Sequence, residues 1–197
     1  HELRTPLNAV LGFGQLLQLQ PMPADQRRQV DEILRGGRHL LSLINDLLDL
    51  GRIEAGELEV LCEAVPADAA IDGCLGLMRP LAQERTVTLH HAATADPGAT
   101  AWADPKRLRQ VLLNLLSNAI KYNRPGGRVE LDVESIGSEL EFRVHDTGPG
   151  LTEVEQQRLF QPFERLGAGQ SAVDGTGIGL ALSRSLVEAM GGHIGVH

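Results

Sequence analysis

The chain has 197 residues, 42% of them hydrophobic and 22% charged, an ordinary soluble composition with room for one or two domains. Its formal net charge of −8 argues against a generic nucleic-acid surface, which needs a basic excess. Cys62 and Cys74 have neither metal-ligand nor Cys-x-x-Cys spacing and read as free thiols of a reducing compartment, and no stretch reads as a signal peptide or a membrane span.

The chain opens on His1 rather than Met, directly on a motif, so it is expected to be a piece of something longer. Residues 1–55 read as two helices. Leu3, Leu7, Val10 and Leu17, with Gly14 in register, follow the 3-4 spacing of a bundle seam. The stretch from Gln20 to Asp25, with two prolines, breaks the pattern and offers Asp25 as an N-cap. A longer helix then runs to about Ile53. Its apolar residues, Val30, Ile33, Leu34, Leu40, Leu41, Ile44, Leu47, Leu48 and Leu50, cover a surface too wide for one partner helix. Two helices cannot enclose a core alone, so a homodimer closing a four-helix bundle is expected. The second helix exceeds the first by about ten residues, roughly 15 Å. Its unmatched partner is expected upstream of His1.

Beyond Gly56 the pattern becomes mixed. Glu57 to Glu63 alternates as a strand, Ala67 to Gln83 suits a helix, and Val87 to His91 a short strand. Another strand falls around Ala101 to Ala103. Arg128 to Ile136 and Glu139 to Asp146 form a hairpin, Thr176 to Met190 a helix, and Ile194 to Val196 begins a strand. The expected class is α+β, helices over one face of a mixed sheet. A closing strand and hairpin are expected after His197.

The stretch from Asp104 to Asn123 is a helical pattern with two stripes. Leu108, Leu112, Leu115 and Ala119 form an apolar one to bury. Beside it Asn114, Asn118 and Lys121, at i, i+4 and i+7, align two amides and an ammonium. Alone, two such amides are usually solvated. Two glycine clusters follow, however: Asp-Thr-Gly-Pro-Gly at 146–150 and Gly-Thr-Gly-Ile-Gly-Leu at 175–180. The alternatives fail on residues. Lys106 and Lys121 are the only lysines and neither follows a glycine, which removes a P-loop. The second glycine cluster comes near the end of the chain, where a dinucleotide-binding fingerprint would follow a first strand. The His-Arg-Asp and Asp-Phe-Gly signatures of protein kinases are missing.

Together these features resemble the N, G1 and G2 boxes of the ATP-binding domain of sensor histidine kinases, and His-Glu-Leu-Arg-Thr-Pro-Leu-Asn at the start resembles that family's phosphoacceptor motif. The resemblance covers nearly the whole chain. It implies a dimerisation and phosphotransfer hairpin over 1–55 and a catalytic Bergerat-type α/β sandwich over 56–197, the latter cut short at its last strands. By resemblance Asp146 takes the exocyclic amine of adenine, while Gly148 and Gly150 let the backbone turn close to base and ribose. Asn118 is the direct Mg²⁺ ligand, supported by Asn114; an amide is a hard oxygen donor that adds no charge beside a triphosphate. Lys121 approaches the phosphates, and Tyr122 fits either the nucleotide edge or simple packing.

Phe-Gln-Pro-Phe-Glu-Arg-Leu at 160–166 resembles the F box. Phe160 and Phe163 would anchor the base of a lid, a role that sequence does not separate from core packing, and Arg165 would stabilise charge on the transferring phosphoryl group. The small residues at 167–172 have little to bury and are expected to move without nucleotide. Gly175, Thr176, Gly177, Gly179 and Leu180 then open the last helix, whose N-terminal amides would meet phosphates.

His1 supplies the second half of the chemistry. A neutral imidazole nitrogen is a competent nucleophile towards a γ-phosphate. In the family, Glu2 accepts a hydrogen bond from Nδ1, leaving Nε2 to attack, and Thr5 positions water for removing phosphate from the partner's aspartate. The expectation is a cytoplasmic, ATP-dependent protein histidine kinase core with no membrane or nucleic-acid contact of its own. It would phosphorylate His1 and pass the group to an aspartate on a response-regulator receiver domain. The piece is expected to bind nucleotide better than it autophosphorylates. Two other readings remain: an ATPase of the wider gyrase, mismatch-repair and chaperone superfamily, which typically has Glu at the Asn114 position, and a non-catalytic dimeric ATP-binding scaffold.

Overall fold

A computed structural model describes residues 2, 4–91, 98–164 and 177–196. The chain divides into two compact units, His1–Gly56 and Glu57–His197.

The first unit is a hairpin of α1 (Arg4–Gln18) and α2 (Ala24–Glu54). Its seam is made by leucines set into glycines. Leu34 is fully buried over Gly14, where an added Cβ would lie 2.7 Å from the Leu34 Cδ2. Leu11 is seated reciprocally on Gly37, where a Cβ would come within 2.8 Å of its Cδ2. Removing the Cβ at these two positions lets the helices approach closely enough for each leucine to fill the gap opposite. Val30, Met22 and Leu41 complete the cluster. The seam expected from sequence is therefore shifted: Leu7 touches it, but Val10 and Leu17 are 48% and 46% exposed. With Phe13 they form a separate apolar stripe on α1, while Ile33, Leu40 and Leu47 form another at heptad spacing on α2, all largely exposed. Asp25 is not the N-cap of α2. Pro23 holds that position, and Asp25 lies in the first turn, where it complements the helix dipole and pairs with Arg28.

The second unit contains β1 (Glu63–Pro66), α3 (Ala67–Glu84), β2 (Thr88–His91), β3 (Thr100–Ala103), α4 (Pro105–Lys121), β4 (Arg128–Ile136), β5 (Glu139–Asp146), α5 (Glu153–Arg158) and α6 (Gly179–Ala189). β1 and β3 pair antiparallel; β2, β4 and β5 form a second sheet with β2 parallel and β5 antiparallel to β4. On β4, Val129, Leu131 and Val133 alternate inward and are essentially buried. They meet Leu108, Leu112, Leu116, Ala119 and Ile120 of α4 and Ile71, Cys74 and Leu75 of α3. This is the α+β arrangement anticipated, helices over a mixed sheet. Burial pushes the Cys74 thiol upward, outweighing the opposite pull of Arg109, so it fills space as a neutral group. Within α4 the core position is Leu116, fully buried, rather than Leu115.

Two expected strands are not formed. Residues 57–62 are irregular, because β3 offers a ladder only from Glu63 onward and the Leu61 N–H donates instead to the Asp104 carboxylate at 3.1 Å. Ile194 to Val196 is also irregular among the described residues. In the same described set no helix is long and apolar enough to cross a membrane.

Asp104 fixes where α4 begins. Its carboxylate accepts from Lys106 N at 2.9 Å and Arg107 N at 3.1 Å, besides Leu61, with Pro105 opening the helix. Burial alone would raise its pKa, but the backbone donors of Leu61, Arg107 and Lys106 together hold it below the ordinary carboxylate range.

Two outcomes follow. Gly37→Val should destabilise the hairpin by about 1–3 kcal/mol through overpacking, whereas neighbouring Gly36, whose Cβ would meet nothing within 4 Å, should accept Ala with a gain of about 0.5–1 kcal/mol; helical thermal unfolding of both variants reads this. Asp104→Ala should cost about 1 kcal/mol at neutral pH. Because the folded pKa is depressed, that difference should hold above a pH of about 4, the unfolded carboxyl value, and shrink as pH falls through the folded one, as read by urea unfolding across pH.

Candidate functional site

The amide flank of α4 is a product of its core stripe. Once Leu108, Leu112, Leu116 and Ala119 point into the domain, Asn114, Asn118 and Lys121 share an adjacent half-buried strip about 10 Å long. Both glycine clusters approach this strip.

The first does so beyond Tyr122, the C-cap of α4. Gly148 packs against the Tyr122 carbonyl: a Cβ there would lie 3.0 Å from that oxygen and 2.7 Å from Asp146 Oδ1. Glycine is thus required by close approach. Gly150 needs it for another reason, a φ of +74° in open space. Asp146 ends β5 in the register pair with Val129 and is exposed. Its Oδ1 accepts the Gly148 N–H at 2.7 Å, so Oδ2 is the oxygen left for an external donor.

A small polar network joins the end of α4 to this loop. The Thr147 hydroxyl accepts from Arg128 N at 2.9 Å and donates to Asn123 Oδ1 at 3.1 Å, while Asn123 Nδ2 donates to the Arg128 carbonyl at 3.0 Å. Sequence reasoning passed over Thr147 and Asn123. Gly127, where a Cβ would fall 2.1 Å from Asn123 Oδ1, was the available signal, a glycine directly before β4 that leaves room for this network.

The second cluster meets the other part of the strip. α6 packs on α4, and its first residue, Gly179, abuts Asn114: a Cβ would sit 2.5 Å from Oδ1. Asn114 Nδ2 donates to the buried Ser183 hydroxyl at 2.8 Å. Among the described residues no side chain caps the N-terminus of α6, and uncapped helix-terminal amides are donors of the kind that suit an anion. Leu180 is half-buried in the first turn. Gly177, at φ +70°, is pressed on Glu164 O (2.7 Å to a Cβ) and its carbonyl accepts the Phe163 N–H at 2.9 Å. The F box is therefore tied to the second glycine cluster through backbone.

Phe160 is half-buried, but Phe163 is 66% exposed and held at φ +65°. It does not anchor by packing, and a bulky residue in that left-handed conformation is strained. Asn118 is half-buried and makes no side-chain hydrogen bond among the described residues, and Lys121 likewise has no ion pair there. A hard oxygen donor and a cation are thus uncommitted on the same strip, which fits a cation bridged to phosphate. Tyr122 is 43% exposed and is not core. Glu2 and Thr5 are exposed. His1, Arg165, Gly175 and Thr176 lie outside the described residues.

Comparison with known proteins addresses the same two units. Residues 103–197 match the family described as histidine kinase-, DNA gyrase B- and HSP90-like ATPase, and residues 1–56 match the His Kinase A (phospho-acceptor) domain. The chain is 38% identical over 204 residues to the cell-division control histidine kinase PdhS of Brucella suis, covering 96% of this chain and 20% of that protein. It is 41% identical over 199 residues to the circadian input-output histidine kinase CikA of Synechococcus elongatus, covering 98% of this chain and 26% of CikA. It thus spans only a fifth to a quarter of these relatives' length. The crystal structure of full-length ShkA in complex with AMPPNP superposes on all of this chain and 41% of ShkA, with a TM-score of 0.83 and 38% identity. The fold is also that of histidine kinase ThkA, solved with the response regulator protein TrrA, at a TM-score of 0.66, 20% identity, and coverage of 98% of this chain and 53% of ThkA. With the phospho-acceptor hairpin and the ATPase unit matched in one chain in this order, and two histidine kinases aligned along nearly all of it, the chain belongs to the sensor histidine kinases.

Proposed function

We propose that this chain is a kinase core in which ATP bound on the amide flank of α4 phosphorylates His1, from which the group passes to an aspartate of a response-regulator receiver domain. The observation that carries the reading is the convergence on one helix of both glycine clusters, with the Asn118 amide and the Lys121 ammonium between them having no partner among the described residues. Residues 1–55 would be the dimerisation and phosphotransfer module and 56–197 the catalytic one.

Each group has a task suited to its chemistry. The free Oδ2 of Asp146 accepts from the adenine amino group, which guanine does not present at that edge. Gly148 and Gly150 keep the loop low enough for base and ribose to lie against it, with Tyr122 beside them. Lys121 and the first amides of α6, opened by Gly175, Thr176, Gly177, Gly179 and Leu180, face the phosphates. Mg²⁺ would be held by the Asn118 amide oxygen together with phosphate oxygens, where it neutralises charge on the transferring phosphoryl group. Phe160 and Phe163 border the segment leading to Arg165, whose guanidinium would add to that stabilisation. In the transfer, the neutral Nε2 of His1 bonds to the γ-phosphorus as the bond to the β-phosphate oxygen breaks, releasing ADP. Glu2 holds the Nδ1 proton. Thr5 would position water for the opposite activity on the phosphorylated regulator.

The exposed stripes of Val10, Phe13 and Leu17 on α1 and Ile33, Leu40 and Leu47 on α2 support a homodimer, since apolar rows of this length at heptad spacing are costly to leave in water. A core that draws on ATP and a receiver domain would work in the cytoplasm. Asn rather than Glu at 114 disfavours a water-activating ATPase.

Titration with a non-hydrolysable ATP analogue and Mg²⁺ should give micromolar-range binding that Asp146→Asn and Asn118→Ala each weaken at least about tenfold, the loss of one charge-assisted contact or one metal ligand. His1→Gln should leave that binding intact and abolish acid-labile label from γ-labelled ATP. Unchanged affinity in both site variants would remove the reading; label retained in His1→Gln would remove the acceptor.

A further inference from the structure

We infer that Ser183 is a positioning residue for the phosphate end of this site: its hydroxyl, by accepting from Asn114 Nδ2, sets the amide flank of α4 against the first turns of α6. The inference rests on the nucleotide reading above and extends it to a residue that no motif contains.

Among the described residues Ser183 is the one buried polar side chain, 2% exposed, and its neighbours on α6, Ala181, Leu182 and Leu186, are buried apolar groups. An alanine would serve that packing equally well. A hydroxyl in such a place carries a desolvation cost unless it is bonded, and the bond it makes is the 2.8 Å one from Asn114, across 69 residues of sequence. The other end of the same amide is confined as well, because Oδ1 lies 2.5 Å from where a Cβ on Gly179 would stand. Gly179 and Ser183 are i and i+4, so they present one face of α6. The Asn114 amide therefore lies across two turns of α6 with its nitrogen bonded and its oxygen walled in. Rotation about its χ2 and sliding of one helix along the other are both restricted by this contact. Asn118, one turn further along α4, takes its place relative to the α6 amides from it.

Among the described residues Ser183 makes no hydrogen bond to the base-binding loop, whose own network runs through Thr147, Asn123 and Arg128. Its loss should thus separate phosphate binding from base binding, a split that a general structural role would not produce. Calorimetric titration of Ser183→Ala with Mg²⁺ and AMPPNP, and separately with adenosine, reads it. Ser183→Ala should weaken AMPPNP about fivefold to tenfold while adenosine changes by less than about twofold, the size expected of one net hydrogen bond acting only on the phosphate end. Ser183→Cys, which keeps the volume and weakens the acceptor, should show the same split even if Ser183→Ala unfolds. In a double-mutant cycle with Asn114→Ala the AMPPNP effects should be non-additive. Equal losses for the two ligands, no loss for either, or additive effects would overturn the role of Ser183. Wild-type protein that binds neither ligand would instead remove the nucleotide reading itself.

Discussion

Two backbones can approach one helix only where side chains are missing, and the second unit is arranged around that constraint. Gly148 lies against the carbonyl of Tyr122 and Gly179 against the amide of Asn114. In both places a methyl group would have to overlap an oxygen of α4 or of the loop itself. The helix can accept these neighbours because its opposite stripe, led by Leu112, Leu116 and Ile120, is locked into a core with β4 and α3. Cavity-free packing on one side makes the other side a fixed reference surface. On such a surface the backbone positions of Asn118 and Lys121 are fixed, and among the described residues their polar ends have no partner.

Electrostatics agree with a site that carries its own counter-charge. A chain of net charge −8 repels a free polyanion at long range. In the proposed reading, binding a triphosphate would depend on local donors at short range: helix-terminal amides, one ammonium, and a divalent cation that an uncharged amide would help to hold. A carboxylate in the place of Asn118 would add a charge that the phosphates already supply. Asp146 stands at the end of β5, its Oδ1 held by the Gly148 N–H, and in the proposed reading its other oxygen would address the base.

Most of the architecture was legible because it is written as periodicity. The two helices of the hairpin, α3, α4 and the β4–β5 hairpin follow 3.6- or 2-residue patterns that burial later satisfies. What was not legible depends on partners. Glu57 to Glu63 alternates as a strand would, yet its N–H groups find a carboxylate at Asp104 instead of a ladder. Leu115 and Leu116 are indistinguishable by type, and only the core formed with α3 and β4 selects Leu116. The hairpin seam moved from Val10 and Leu17 to Leu11 because Gly14 and Gly37 provide the recesses, information carried by what those residues lack. At the site, motif positions were readable by spacing, whereas Ser183, Asn123 and the linking role of Thr147 inside its motif were not, since each matters through a contact between distant segments. Phe163 illustrates the opposite case: an aromatic that pattern assigns to packing is two-thirds exposed and contributes through its backbone.

The claim on which the rest depends is that a metal-bound triphosphate lies along the amide flank of α4. Paramagnetic broadening tests it directly, with Mn²⁺ replacing Mg²⁺ alongside AMPPNP and the side-chain amides observed by NMR in nitrogen-labelled protein. The account predicts that stoichiometric Mn²⁺ with AMPPNP selectively broadens Asn118 first and Asn114 next. Broadening of other side-chain amides with those of Asn118 and Asn114 left sharp would contradict it.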